Sequence, residues 1–196
     1  GGIIGANSNQ YIDGGSLTSG SGALYVHTPQ TLTIGSAIVD SGDGAVALVK
    51  AAAGTLTLAG DSSHTGGTYV NAGTLLLDGS LASGNITITS GSFAGSGMIT
   101  FNIEGDSADL ISIAEGAQFD PSGLTLNLAI SGTQTLGEYV LADNAAGFLA
   151  GTTFQALLVN GQSSDSWTID YDGTEANPGR VVLVVPEPGT IGVLAG

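Results

Sequence analysis

The chain has no cysteine, which excludes a disulfide framework and a thiolate metal site. Positive charge is almost missing as well. Lys50 and Arg180 stand against 17 acidic residues, for a net charge of -15. Affinity for nucleic acid rests on Lys and Arg neutralising phosphates, so this balance excludes nucleic-acid partners. It equally disfavours an anionic membrane surface. Aromatic residues make up 6%, few for an enzyme groove that grips sugar rings. No apolar run reaches the roughly 20 residues that span a bilayer. The sequence opens Gly1-Gly2-Ile3-Ile4-Gly5, with neither an initiator Met nor a signal-peptide pattern, so a processed start or an excerpt is expected. Helix signals are scarce, with a single turn expected within residues 143–149.

What fills the chain instead is glycine and short apolar runs. There are 33 glycines, hydrophobic residues make up 42%, and only 10% of residues are charged. That is too apolar for intrinsic disorder, and the glycines lack the strict three-residue period of collagen. Runs punctuated by Gly, Asn, Asp and Ser predict an all-β chain with tight turns. Within the runs the pattern alternates, as in Thr55-Leu56-Thr57-Leu58 and Ile86-Thr87-Ile88-Thr89. Successive strand side chains point to opposite faces, so the Leu and Ile residues face inward and the Thr residues outward.

The runs also repeat. Gly54-Thr55-Leu56-Thr57-Leu58-Ala59-Gly60 returns as Gly73-Thr74-Leu75-Leu76-Leu77-Asp78-Gly79, and Thr68-Tyr69-Val70 is echoed by Ile86-Thr87-Ile88. A unit of about 20 residues cannot bury its apolar face alone and must stack on the next. The expected fold is a right-handed parallel β-helix, a β-solenoid, with Leu56, Leu58, Leu75, Leu77, Ile86 and Ile88 in its core. From Pro121 a longer alternation, Leu124 to Ser131, and later strand candidates suggest a C-terminal sheet or sandwich. It would cap the solenoid and cover strand edges that would otherwise be unpaired. The expected division is 1–120 solenoid, 121–185 cap and 186–196 tail.

The stretch Leu48-Val49-Lys50-Ala51-Ala52-Ala53-Gly54-Thr55-Leu56-Thr57-Leu58-Ala59-Gly60, followed by Thr65-Gly66-Gly67-Thr68-Tyr69-Val70-Asn71-Ala72-Gly73-Thr74-Leu75-Leu76-Leu77, resembles the autotransporter-associated β-strand repeat of bacterial passenger domains. Ala52 stands where that family usually has glycine, and Asp61-Ser62-Ser63-His64 replaces its usual turn. The resemblance covers residues 48–77 and implies an exported scaffold rather than an activity. At the other end, Pro186-Glu187-Pro188 and the apolar residues beyond it look like the opening of a PEP-CTERM sorting signal. Members of that family continue into a membrane helix and a basic cluster and are thought to be processed by an exosortase. Only six residues follow Thr190, so any membrane contact is expected to be transient, through the missing part.

Residues that could carry chemistry are few. Nucleophilic catalysis needs a base within hydrogen-bond reach, yet His27 and His64 sit in Ser/Thr-rich settings without a triad motif and read as surface positions. Asp106 with Asp109, and Asp170 with Asp172, are carboxylate pairs of the kind that cleave glycosides. Asp40, Asp43, Asp170, Asp172 and Glu175 offer hard oxygen ligands on glycine-containing loops that suit calcium, although acidic turns on an acidic surface explain them equally well. Lys50, in the apolar context Ala47-Leu48-Val49-Lys50-Ala51-Ala52, reads as a lysine at a coil edge that snorkels to water. An internal Lys–Asn bond would need a buried site and a nearby carboxylate.

The sequence therefore reads as a structural, non-enzymatic protein of the cell surface or extracellular matrix of a Gram-negative-type bacterium, with no cofactor required. Self-association is expected through apolar termini: Ile3 and Ile4 at one end, and Val181, Val182, Leu183, Val184, Val185, Ile191, Val193 and Leu194 at the other. Head-to-tail contacts of that kind make filaments. Exopolysaccharide is a further candidate partner. The alternatives are an adhesin that binds a glycan or another cell and, more remotely, a polysaccharide-active β-helix enzyme.

Overall fold

The computed structural model describes residues 1–82, 84–134, 137–164, 166–173 and 179–185. Alternation in the sequence becomes alternation in burial. In strands Thr55–Leu58 and Thr74–Leu77, Leu56, Leu58, Leu75 and Leu77 are buried, while Thr55, Thr57, Thr74 and Leu76 remain half-buried. A strand with one apolar face is stable only against another, and these two lie in parallel register: Thr55 faces Thr74 and Leu56 faces Leu75, a shift of nineteen residues. Thr68 faces Ile86 in the same way, eighteen residues on. The repeat read from the sequence is the physical rung of a β-solenoid.

Three sheets wrap one core. The first runs in parallel through Gly2–Ile4, Ala23–His27, Ala47–Ala51, Thr68–Val70, Ile86–Ile88, Ile111–Ile113 and Glu138–Ala142. The second stacks Gln10–Ile12, Thr31–Ile34, Thr55–Leu58, Thr74–Leu77, Ser92–Gly95 and Gln118–Phe119. The third stacks Ser80–Ala82, Met98–Glu104, Thr125–Ser131 and Ala156–Val159. Ser16–Leu17, Ala37–Ile38 and the bridge from Ser62 to Leu81 continue that third face toward the N-terminal end. The seven parallel strands of the first sheet count seven coils.

Coil length varies, which is why the sequence repeat is clean only in the middle. Facing partners are 18 residues apart for Thr68 and Ile86, 25 for Ile86 and Ile111, and 31 for Ile111 and Ala142. The surplus residues sit at corners. One such corner is the turn where Ser41 and Gly44 exchange backbone hydrogen bonds of 3.0 and 3.2 Å. Another holds the 3-10 turn Ala145–Gly147, where one turn was expected.

Parallel stacking crosses residue 121 without interruption: Met98–Glu104 pairs with Thr125–Ser131 along its whole length, and Ala156–Val159 follows. The longer alternation is thus a longer rung on an equally long neighbour and marks no change of architecture. Antiparallel capping begins only with Gln162–Ser163, Thr168–Asp170 and Val181–Val184. Aromatic rings fill the core beneath it. Phe119 lies 5.5 Å from Phe93 and 5.0 Å from Phe148, and Phe148 lies 6.0 Å from Tyr171. The two ends differ. On the first coil, Gly2–Ile4, Gln10–Ile12 and Ser16–Leu17 each have a strand neighbour on one side only among the described residues.

Candidate functional site

Inward positions form ladders up the core, and polar residues occupy two of them. One ladder reads Val26, Lys50, Val70, Ile88 and Ile113, each facing the next in register. Lys50 is fully buried in it. Its ammonium donates to the carbonyls of Ala51 at 3.1 Å, Ala52 at 2.6 Å and Ala72 at 2.9 Å, so it bonds its own coil and the next. Ala52 has φ +68°, the left-handed conformation that glycine adopts most readily. The lysine therefore does not snorkel to water, because three carbonyls at the strand end replace the water it would have reached. Burial pushes its pKa down to about 8, while the three acceptors favour the charged form and oppose that shift.

The second intrusion lies one coil on. In the ladder Leu24, Leu48, Thr68, Ile86 and Ile111, the threonine is buried. Its hydroxyl lies 3.0 Å from Nε2 of His64, which is itself fully buried. Nδ1 of His64 has no hydrogen-bond partner among the described residues. Burial lowers the pKa of this histidine, and the charge of Asp40 opposes that shift. His64 is thus a core residue, contrary to the surface position expected from its turn. Ser62 and Thr68 are buried too, while the immediate neighbours Ser63 and Thr65 are exposed. His27 points outward and is exposed, as expected.

Asp40, a calcium candidate, works as a corner clamp. Its carboxylate accepts from the Val46 amide at 2.8 Å, the Thr65 amide at 2.9 Å and the Thr65 hydroxyl at 2.7 Å. The bonds from Thr65 and Val46 hold its pKa below the usual carboxylate range. Asp43 is exposed on the adjoining turn. The Asp170 carboxylate accepts from the amides of Asp172 and Gly173, both at 3.0 Å, and so caps the turn that ends its strand. That turn takes Asp172 off the strand, so the two carboxylates do not share its face. Glu175 lies outside the described residues. No group of three or more His, Cys, Asp or Glu able to hold a metal gathers among those described.

The members of the other carboxylate pair sit in different surroundings. Asp109 accepts from the Asn102 amide at 2.9 Å and the Gly84 amide at 3.2 Å. Asp106 instead lines a cleft of about 520 Å³ with Glu138, Tyr139, Asp143 and Arg180. In that cleft Asp143 accepts from the Ile113 amide at 3.0 Å, and the Tyr139 hydroxyl donates to the Gly105 carbonyl at 2.6 Å. A smaller cleft is lined by Phe154, Leu157, Trp167, Ile169 and Tyr171. Trp167, Ile169 and Tyr171 are partly buried there and pack against the core.

The self-association candidates divide. Ile4 is 74% exposed on the edge strand of the first coil, and Ile3 is half-buried beside it. Val181, Val182 and Leu183 are buried in their own chain, in a strand paired on both sides with Glu138–Ala142 and Thr168–Asp170. Val184 is in the same strand, and the Val185 amide donates to the Gly137 carbonyl at 2.9 Å. This apolar run is a core strand of the cap and not a free sticky end. Pro186, Glu187, Pro188, Ile191, Val193 and Leu194 lie outside the described residues. No helix among those described is long and apolar enough to cross a membrane.

Comparison with known proteins adds two findings. Residues 48–77 match the passenger-associated-transport-repeat family, so this part of the chain carries an autotransporter-passenger repeat. Over 146 residues the chain is 34% identical to the adhesin BmaC autotransporter of Brucella suis biovar 1 (strain 1330). That match covers 66% of this chain and 4% of the length of that relative. No solved structure matches the chain.

Proposed function

We propose that this chain is a length of passenger-type β-solenoid exported to the surface of a Gram-negative-type bacterium. It would serve there as a stiff, non-enzymatic rod that presents an adhesive surface. The observation that carries the reading is the unbroken parallel register through seven coils, with the passenger-type repeat at its centre. A fold whose backbone groups and apolar side chains are satisfied by the neighbouring coil is extended by adding coils, and it resists local unfolding along its length. Similarity to an adhesin supports the adhesive half of the reading.

Among the self-association residues, the proposal keeps only Ile3 and Ile4. The outer edge of Gly2–Ile4, with Ile3 and Ile4, has no strand neighbour among the described residues, and a further coil, of this chain or of another, can pair with it. Residues Val181–Val184 are already paired on both sides. A head-to-tail contact through that strand is therefore not part of the proposal. The matrix role and the sorting motif at Pro186, Glu187 and Pro188 are carried by the sequence resemblance alone.

Labelling intact cells of the native bacterium with an antibody against residues 1–185, before and after protease shaving, tests the location. Surface label removed by shaving is the expected result. Label obtained only after lysis would contradict the proposal.

A further inference from the structure

The first six strands of the first sheet, like the six strands of the second, carry no acidic residue, and only the first sheet sets two exposed tyrosines in one row. The chain carries 17 acidic residues, yet strands Gly2–Ile4, Ala23–His27, Ala47–Ala51, Thr68–Val70, Ile86–Ile88 and Ile111–Ile113 contain no Asp or Glu. Their lysine, Lys50, points inward and is buried. Along this uncharged strip Tyr25, Val49, Tyr69, Thr87 and Ser112 face one another in unbroken register. Tyr25 is 56% and Tyr69 38% exposed, and neither phenol hydroxyl bonds to another described residue. The next outward row, Ile4, His27 and Ala51, is also free of carboxylates.

Isolated exposed tyrosines are ordinary, but two held in line by strand register form a geometry. They lie two rungs apart, about 10 Å at the ~4.8 Å spacing of paired strands, with Val49 level between them. The Tyr69 ring reaches back over Gly67, whose backbone has φ +86°, so the ring lies along the sheet.

We propose that the strip from Tyr25 to Ser112 binds a neutral polysaccharide laid along the coil axis, its sugar rings stacked on Tyr25 and Tyr69. The inference rests on the reading of an exposed adhesive rod and names the partner of that surface. Pyranose rings present C–H faces that stack on aromatic rings, and their hydroxyls hydrogen-bond to tyrosine, threonine and serine. An extended chain spans the two tyrosines with two sugar units. Charge selects the class. The field of a chain with net charge -15 repels anionic glycans and nucleic acid, while the strip itself offers no carboxylate to pair with a cation. Tyrosine adds contact area at little conformational cost because its side chain has two rotatable bonds.

Electrophoresis of the purified chain through gels containing glucomannan, xyloglucan or mixed-linkage β-glucan, with alginate as the anionic comparator, tests the assignment. The wild type should be retarded in at least one neutral gel and not in alginate. Tyr25→Thr and Tyr69→Thr should each weaken retardation by about tenfold, and the double variant should abolish it. Tyr25→Phe and Tyr69→Phe, which keep the ring, should retain most of it. Tyr11→Thr, at an exposed tyrosine on the second sheet, should change nothing. Circular dichroism confirms that each variant is folded. Absence of retardation in every neutral gel, retardation in alginate alone, or full binding by the folded double variant would overturn the proposal. Sedimentation showing a multimer that the double variant dissolves would give the strip to a second copy instead, which also overturns it. Cell-surface labelling does not enter this test, so glycan binding and surface location fail separately.

Discussion

The ammonium of Lys50 donates to the carbonyl of Ala72, 2.9 Å away in the next coil, from a ladder position flanked by Val26 and Val70. A lone buried charge costs free energy unless its donors are satisfied, and here three carbonyls satisfy them. Lys50→Ala removes both the packed stem and the donors, and it should destabilise the coil by about 3 kcal/mol. Lys50→Met keeps the stem and should lose less. Urea unfolding of the two variants checks the order.

The same residue sets a pH dependence in the alkaline range. Burial places its native pKa at about 8, below the 10.5 of an ordinary lysine, so between these values the unfolded chain holds the proton more tightly. Stability from this group is therefore fully present above pH 10.5 and is lost as pH falls through 8. The margin of the wild type over Lys50→Met should widen as pH rises from 8 to 10.5. Tyr139 and Tyr171, whose pKa values burial raises, titrate alike in both proteins and cancel. A flat margin would mean that the carbonyls hold the ammonium at its ordinary pKa.

His64 makes the opposite end of the pH scale sensitive. Its native pKa lies below 6.5 because it is buried, so the unfolded chain is protonated first. The stability it contributes is present above pH 6.5 and lost as pH falls. Asp40, also lowered, adds loss of the same sign at more acid pH, below 3.8. Melting temperatures at pH 7 and pH 5 should therefore fall further for the wild type than for His64→Gln, which cannot take up the proton. At pH 7, His64→Ala should cost about 2 kcal/mol through the cavity and the stranded Thr68 hydroxyl.

Backbone approach between coils gives a paired test. A methyl on Gly54 would collide with the backbone of Gln30 in the preceding coil, whereas one on Gly42 meets nothing. Gly54→Ala should lower the melting temperature by several degrees or prevent folding, and Gly42→Ala should leave it unchanged. Leu75→Asp, in a fully buried rung between Leu56 and Phe93, should unfold the coil, because an unpaired charge in a dry core costs several kcal/mol. A Leu75→Asp protein that melts like the wild type would place that residue outside the core.

The rungs were legible in the sequence because alternation and repetition are local, and the pairing of Leu56 with Leu75 falls at the spacing of the repeat. Lys50 and His64 were not. Whether a polar side chain at a coil corner turns in or out depends on carbonyls and hydroxyls brought from other turns, such as Ala72 and Thr68, and no local pattern encodes these. The cap was misplaced for a related reason. A long alternating run such as Thr125–Ser131 looks alike whether its neighbour is parallel or antiparallel, and the pairing is decided by Met98–Glu104, far back in the chain.

The central claim, a stack of coils in parallel register, is open to direct measurement because the chain has no cysteine of its own. Spin labels can then be placed in pairs on the outward row Gly2, Tyr25, Val49, Tyr69, Thr87 and Ser112. Electron–electron distances should be about 24 Å for labels at Gly2→Cys and Ser112→Cys, five rungs apart, and about 19 Å for Tyr25→Cys and Ser112→Cys, four rungs apart. A step of roughly one strand spacing per rung is the predicted result. Broad distances, or a separation that does not shorten when the first label moves up one coil, would contradict the solenoid.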